Sequence, residues 1–225
     1  MDAASRRQLN AICCVKTCVK KLLLQFALAS LLVGHVVAQT FAVVVRLPLY
    51  SKPNAAVTEF RNTLYGPTWS GGNSVRGSLF SINSDGTGFA ILHNFSNIYN
   101  NTNSDGAYPD GALVLSGGTL YGSTTSGGYF GGGTIFTIDT NGMNFSVLHH
   151  FEGADGTGPI GGLILCTNTL YGVAGSGGTN GYGVIFKVRP DGSDFTVLHH
   201  FADVHQDSNG SFTNAEGIYP SGLLV

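Results

Sequence analysis

From residue 111 to 151 the apolar positions fall in short alternating runs, ALVL (112–115), TLYGSTT (119–125), GTIFTID (133–139) and FSVLHHF (145–151). Glycine and small polar residues separate them. Runs of this length, rich in β-branched and aromatic residues and bounded by turn formers, read as strands. SGG joins the first two, and Asn141-Gly142 joins the last two. Asn-Gly favours positive φ and a tight antiparallel connection. The pattern therefore predicts two hairpins forming one four-stranded antiparallel unit. No segment after the leader sustains a helical period.

The same order of parts appears twice more, in NTLYGPTWSGGNSVRGSLFSINSDGTGFAILHNF (62–95) and NTLYGVAGSGGTNGYGVIFKVRPDGSDFTVLHHF (168–201). Leu64, Leu120 and Leu170 open the LYG triplets, giving periods of 56 and 50 residues. Four strands in a unit of roughly 50 residues is the blade of a β-propeller. The expected fold is all-β, a β-propeller-like (kelch-like) array of four-stranded antiparallel blades. A β-solenoid, the alternative, has shorter coils and needs no paired hairpins. Residues 39–61 read as an N-terminal strand and linker, with FAVVVRLPLY as a strand limited by Pro48. Repeats follow at 62–110, 111–160 and 161–216. GIYPSGLLV (217–225) matches GAYPDGALV (106–114) and begins a truncated fourth. Propellers close with about four to eight blades, so the array is expected to be incomplete and to self-associate through open blade edges.

The first forty residues follow another rule. A basic leader with Arg6, Arg7, Lys16, Lys20 and Lys21 precedes an apolar run, Leu22 to Ala38. Val36 and Ala38 supply the small residues before a cleavage point at Gln39. Residues 1–38 are expected to be a signal peptide, with an uncleaved anchor as the alternative. Removal leaves six Lys and Arg against twelve Asp and Glu, a net charge of −6. Without a basic run, nucleic acid is not an expected partner, nor is a membrane span expected after cleavage. Cys166 would then be the one cysteine left, so no internal disulfide is expected.

His93, His149 and His199 share one repeat position, and His150 and His200 share the next, where the first unit has Asn94. A residue that recurs at one phase of every unit serves the unit, so these are assigned to the scaffold, hydrogen-bonding across blade interfaces, rather than to a metal. Strand alternation puts His149 with Val147 and Phe151 on one face, and Leu148 with His150 on the other. Asp105, Asp110, Asp155 and Asp207, with Asn100, Asn101 and Asn103, lie in segments read as loops entering each unit. Ca²⁺ takes such oxygen ligands, but Asp and Gly are equally the residues of plain turns, so no cofactor is assigned. No nucleophile elbow, H-E-x-x-H or phosphate loop is present, and no catalytic residue is assigned. Trp69, Tyr129, Phe130 and Tyr182, read as aromatics of variable loops, are the candidate binding residues, because flat rings suit sugar and protein faces.

The combination LYG…SGG…G-x-[IL]-F-x-[IV]…[DN]-G…F-x-[IV]-L-H-x-F, followed by DGAYPDGALV, resembles the GloVer-type (Gloeobacter/Verrucomicrobium) tandem repeats of secreted bacterial proteins. The resemblance runs from about residue 61 to 225. It implies a secreted or cell-surface location and no established chemistry. The functional expectation is a secreted, non-catalytic repeat protein that binds an extracellular carbohydrate or a surface protein. The alternative is an extracellular polysaccharide-active enzyme with its site at a propeller mouth, which requires unmatched polar residues clustered on one rim.

Overall fold

The computed structural model describes residues 51–203, 205–206, 212–214 and 217–221. The expected signal peptide at 1–38, the strand read at 41–50 and Asp207 lie outside the described residues. Blade 1 consists of β1 (Lys52–Pro53), β2 (Thr58–Phe60), β3 (Thr63–Ser70), β4 (Ser78–Asn83) and β5 (Ala90–Asn94). Blade 2 has β6 (Ala107–Ser116), β7 (Thr119–Ser126), β8 (Thr134–Asp139) and β9 (Ser146–His150). Blade 3 has β10 (Thr157–Cys166), β11 (Thr169–Ser176), β12 (Val184–Val188) and β13 (Thr196–His200). A two-stranded pair, β14 (His205–Gln206) and β15 (Phe212–Thr213), follows. Each blade is an antiparallel meander, so the described residues form a β-propeller-like array of three blades.

Two cores lie between blades, not within them. One joins Tyr65, Leu79 and Phe95 of blade 1 and its linker to Leu113, Leu120, Phe136 and Ile138 of blade 2. The other joins Tyr121, Ile135 and Phe151 to Leu163, Leu170, Val184, Phe186 and Val188 of blade 3. A single sheet cannot bury its own apolar face, so each blade is stable only against its neighbour. The LYG glycines have a local role in this packing. Phe80, Phe136 and Phe186 pair in register with Gly66, Gly122 and Gly172. A Cβ on Gly122 would stand 2.5 Å from the Phe136 ring tip. The glycine makes room for the ring that covers it.

The first strand of a blade is longer than its apolar run. β6 begins at Ala107, not Ala112, and a register shift falls between Asp110 and Val114. At this bulge Gly111 lies so close to Gly162 of blade 3 that an added Cβ would be 2.0 Å from its nitrogen. Asp110 is consequently in a strand, not a loop. The linker reading of 39–61 also changes at its end. β1 and β2 pair with β3 as the two halves of β6 pair with β7: Pro53 opposes Thr68 as Pro109 opposes Thr124, and Thr58 opposes Tyr65 as Val114 opposes Tyr121. SKPN is a first strand in which little but the proline matches its sisters.

In the turn after the third strand of each blade, Asp85, Asn141 and Asp191 stay out of the left-handed region, which Asn62 and Asn168 adopt in the turn before the second strand. Gly142 donates to the Asp139 carbonyl and adopts positive φ, at 82°, as Asn144 does beyond the turn at 55°. Asn141 Oδ1 accepts from the Met143 backbone, and Asp85 and Asp191 do the same two residues on. This is a type I turn closed by a left-handed glycine rather than a mirror-image turn.

Candidate functional site

Among the described residues the histidines form a seam at both blade junctions. His93 Nε2 donates to Asp105 Oδ2 over 3.1 Å, and His149 Nε2 to Asp155 Oδ2 over 2.7 Å. Each aspartate belongs to the segment leading into the next blade. It also accepts from the backbone there, Ser96 N for Asp105 and Glu152 N for Asp155. The imidazoles stack on the next blade, His93 on Phe145 at 3.8 Å and His149 on Phe195 at 3.6 Å. Burial alone would raise the Asp105 and Asp155 carboxyls. Hydrogen bonds from histidine and the linker backbone outweigh it and hold both below the ordinary carboxylate value.

Strand alternation fails at this seam. A register shift between Ile135 and Phe136 leaves Leu148 as a bulge. Leu148 packs with the blade 2–3 core and lies beneath Gly192 of blade 3, while its neighbour His149 stacks on Phe195. Neighbouring residues therefore reach the same blade. The adjacent position has a separate role. His150 Nδ1 accepts from Tyr129 N, and His200 Nδ1 accepts from Thr179 N. Asn94 Oδ1 accepts from Asn73 N in the same way. Imidazole and amide supply the same acceptor to the loop after the glycine pair, so replacing His with Asn is conservative here. Among the described residues, no three His, Cys, Asp or Glu gather as metal ligands.

The candidate calcium groups are engaged elsewhere. Asn103 Nδ2 donates to the Ser96 and Gly106 carbonyls, and its Oδ1 accepts from Gly106 N and Gly128 N. Asp105 serves the seam, and Asp110 accepts from Asn54 Nδ2. Asn100 and Asn101 instead line a cleft.

That cleft, of about 940 Å³, opens on the rim where first strands begin and second strands end. Arg76, Tyr108, Phe130, Glu152 and Tyr219 are among its walls. Tyr108 and Tyr219 have φ of 58° and 53°, although each precedes a proline. A bulky residue is strained in the left-handed region, by about 1–2 kcal/mol. The strain has a local cause. Tyr108 N donates to the Arg76 carbonyl at 2.7 Å, as Gly158 N does to Gly132 and Tyr219 N to Tyr182. This backbone stitch to the preceding blade needs only a glycine, which blade 3 uses at 158 with φ of 61°. The tyrosine ring is an addition.

The additions gather in one place. The Tyr108 ring stacks on Trp69 at 4.7 Å. Arg76 donates to the Tyr108 hydroxyl and lies over its ring at 5.3 Å. Lys52 Nζ sits 5.3 Å from the Trp69 ring. The sister positions of Trp69, Arg76 and Tyr108 in the next repeat are Thr125, Gly132 and Gly158. No scaffold requirement common to the blades explains this ladder.

The four aromatics named from sequence are placed as follows. Phe130 lines the cleft and is 60% exposed. Tyr129, 62% exposed, stacks on His150 at 4.0 Å. Tyr182 lies against Tyr219 at 5.7 Å. Trp69 is not in a loop. It lies inside β3, which runs on to Ser70 because β1 pairs with its end, and it is half-buried against Tyr108. Sequence reasoning missed Lys52, Arg76, Tyr108 and Tyr219. The YP dipeptides at 108 and 219, beside KP at 52 and GP at 158, were the available signal.

No curated protein matches the sequence. Among solved structures, one from a nidogen/laminin complex has a TM-score of 0.47 at 15% identity, covering 67% of this chain and 49% of that one. A PL25 ulvan lyase has a TM-score of 0.44 at 13% identity, covering 70% and 41%. A GH43 protein of Bacillus licheniformis has 0.37 at 13%, covering 74% and 38%. The chain thus spans half or less of the length of each. The repeated units are decisive where these likenesses are distant: residues 35–225 match the Gloeobacter/Verrucomicrobia repeat, and the chain belongs to that family.

Proposed function

We propose that this is an exported binding protein whose rim cleft holds a saccharide, with the seam residues serving only to fix one blade against the next. The observation that carries the reading is the Lys52–Trp69–Tyr108–Arg76 ladder, whose Tyr108 and Arg76 line the cleft and whose Trp69 and Arg76 have no like residue in the other repeats. Aromatic faces with polar groups beside them, in a concave site of this volume, suit a sugar ring. Two tyrosines kept in a strained backbone where glycine suffices support the same conclusion. The leader at 1–38 supports export.

The test is binding of a panel of oligosaccharides to the purified protein, with Tyr108→Gly as the comparison. Binding that falls at least about tenfold in the variant, with thermal stability kept, is the expected result. Unchanged affinity for every bound member would remove the cleft from the account. Following the same panel for product formation separates binding from the polysaccharide-active alternative, since turnover abolished by cleft substitutions would favour an enzyme.

A further inference from the structure

Arg76 brings to the cleft a cation that the described protein does not neutralise. Its Nη1 donates to the Tyr108 hydroxyl, and its Nε is buried without a hydrogen-bond partner. The ion pairs among the described residues are His93–Asp105, His149–Asp155 and Arg189–Asp194, and none includes it. A guanidinium partly withdrawn from water without a counter-ion is unfavourable, and a chain evolving freely at this position could use Gly132's solution. Lys52 adds a second positive group at the far end of the same aromatic pair.

We infer that the ligand of this cleft is an anionic saccharide, its carboxylate or sulfate bound by Arg76 while its ring lies against Tyr108. This rests on the saccharide-binding reading above. The planar guanidinium offers forked donors that match either anion. The Tyr108 ring, itself stacked on Trp69, holds that fork by cation–π contact, reducing the freedom lost on binding. Glu152 lines the cleft from the linker between blades 2 and 3 and repels an anion there. The acidic group is therefore directed to the blade 1 end, and the ligand has one orientation.

The experiment is calorimetric titration of the full chain with hexuronic acid oligomers, the same oligomers with carboxyls reduced, and a sulfated neutral oligosaccharide with its desulfated form. Wild-type protein should bind at least one anionic probe, lose about tenfold or more against its neutral partner, and weaken with rising salt. Which acidic probe binds distinguishes carboxylate from sulfate. Arg76→Gln should bring the affinity for the acidic probe down to that for the neutral one, and Arg76→Lys should recover part of it. Equal binding of an acidic probe and its neutral partner would overturn the anionic inference and leave saccharide binding standing. Binding of no probe would remove both. If Arg76→Gln does not fold, the matched pairs and the salt dependence in wild-type protein still decide.

Discussion

At the junction of blades 1 and 2, His93 donates to Asp105 and stacks on Phe145. At the junction of blades 2 and 3, His149 donates to Asp155 and stacks on Phe195. Phe95 and Phe151 are fully buried at equivalent places, each edge-on to its histidine. At the rim the two junctions diverge. The first carries Trp69, Arg76 and Tyr108, and the second has Thr125, Gly132 and Gly158 in their stead. The contrast separates two kinds of residue. Those that recur hold blades together, and those that differ between the two junctions, Arg76 and Tyr108 lining the cleft and Trp69 stacked on Tyr108, are the ones on which the binding proposal rests.

The comparison breaks most severely at the phenylalanines. Phe95→Ala and Phe151→Ala should each lose about 3–5 kcal/mol of unfolding free energy by denaturant titration. If the junctions are equivalent, the two losses agree within about 1 kcal/mol. A large disparity would mean that one junction alone carries the fold. His149→Ala comes next, at about 2–3 kcal/mol, because Asp155 then keeps only the linker backbone as a donor and Phe195 loses its stacked partner.

Acid sharpens the same comparison. Burial, with His149 nearby, holds the His150 imidazole below its usual 6.5. Its stability contribution is therefore complete above that value and is lost as pH falls through the lower folded value. The Asp105 and Asp155 carboxyls, held below 3.8, contribute fully above that value and lose their contribution lower down. Melting temperature against pH should show two acid limbs. His150→Asn should abolish the upper limb and leave the lower, whereas persistence of both would assign the upper to another group.

Exchange of acceptors is the gentlest test. Asn94→His and His150→Asn should each shift stability by less than about 1 kcal/mol, since either side chain can accept from the loop nitrogen. A loss above about 2 kcal/mol would show that the two positions are not equivalent after all.

Hairpins and blade architecture were legible because a buried strand alternates and a tight turn favours glycine or asparagine. The seam was half legible. Recurrence at 93, 149 and 199 marked a scaffold role, but the Leu148 bulge defeats alternation, and nothing in the run VLHHF announces it. Equivalence of Asn94 with His150 was hidden because it lies in one acceptor atom, not in side-chain type. The start of blade 1 was missed because SKPN keeps little beyond the proline that packs on the preceding unit elsewhere. Arg76 and Tyr108 were passed over for the opposite reason. Variable loops announce exposed aromatics, whereas the ladder is assembled from strand positions 52, 69 and 108 and one loop arginine.

The central claim is that the departures from the repeat are for binding and not for folding. Its most direct test is the triple variant Trp69→Thr, Arg76→Gly, Tyr108→Gly, which writes the blade 2–3 rim onto the blade 1–2 junction. Measured beside wild type, it should melt within a few degrees, a net change of about 1 kcal/mol, and lose all measurable saccharide binding. A variant that fails to fold, or one that folds and binds as before, would contradict the account.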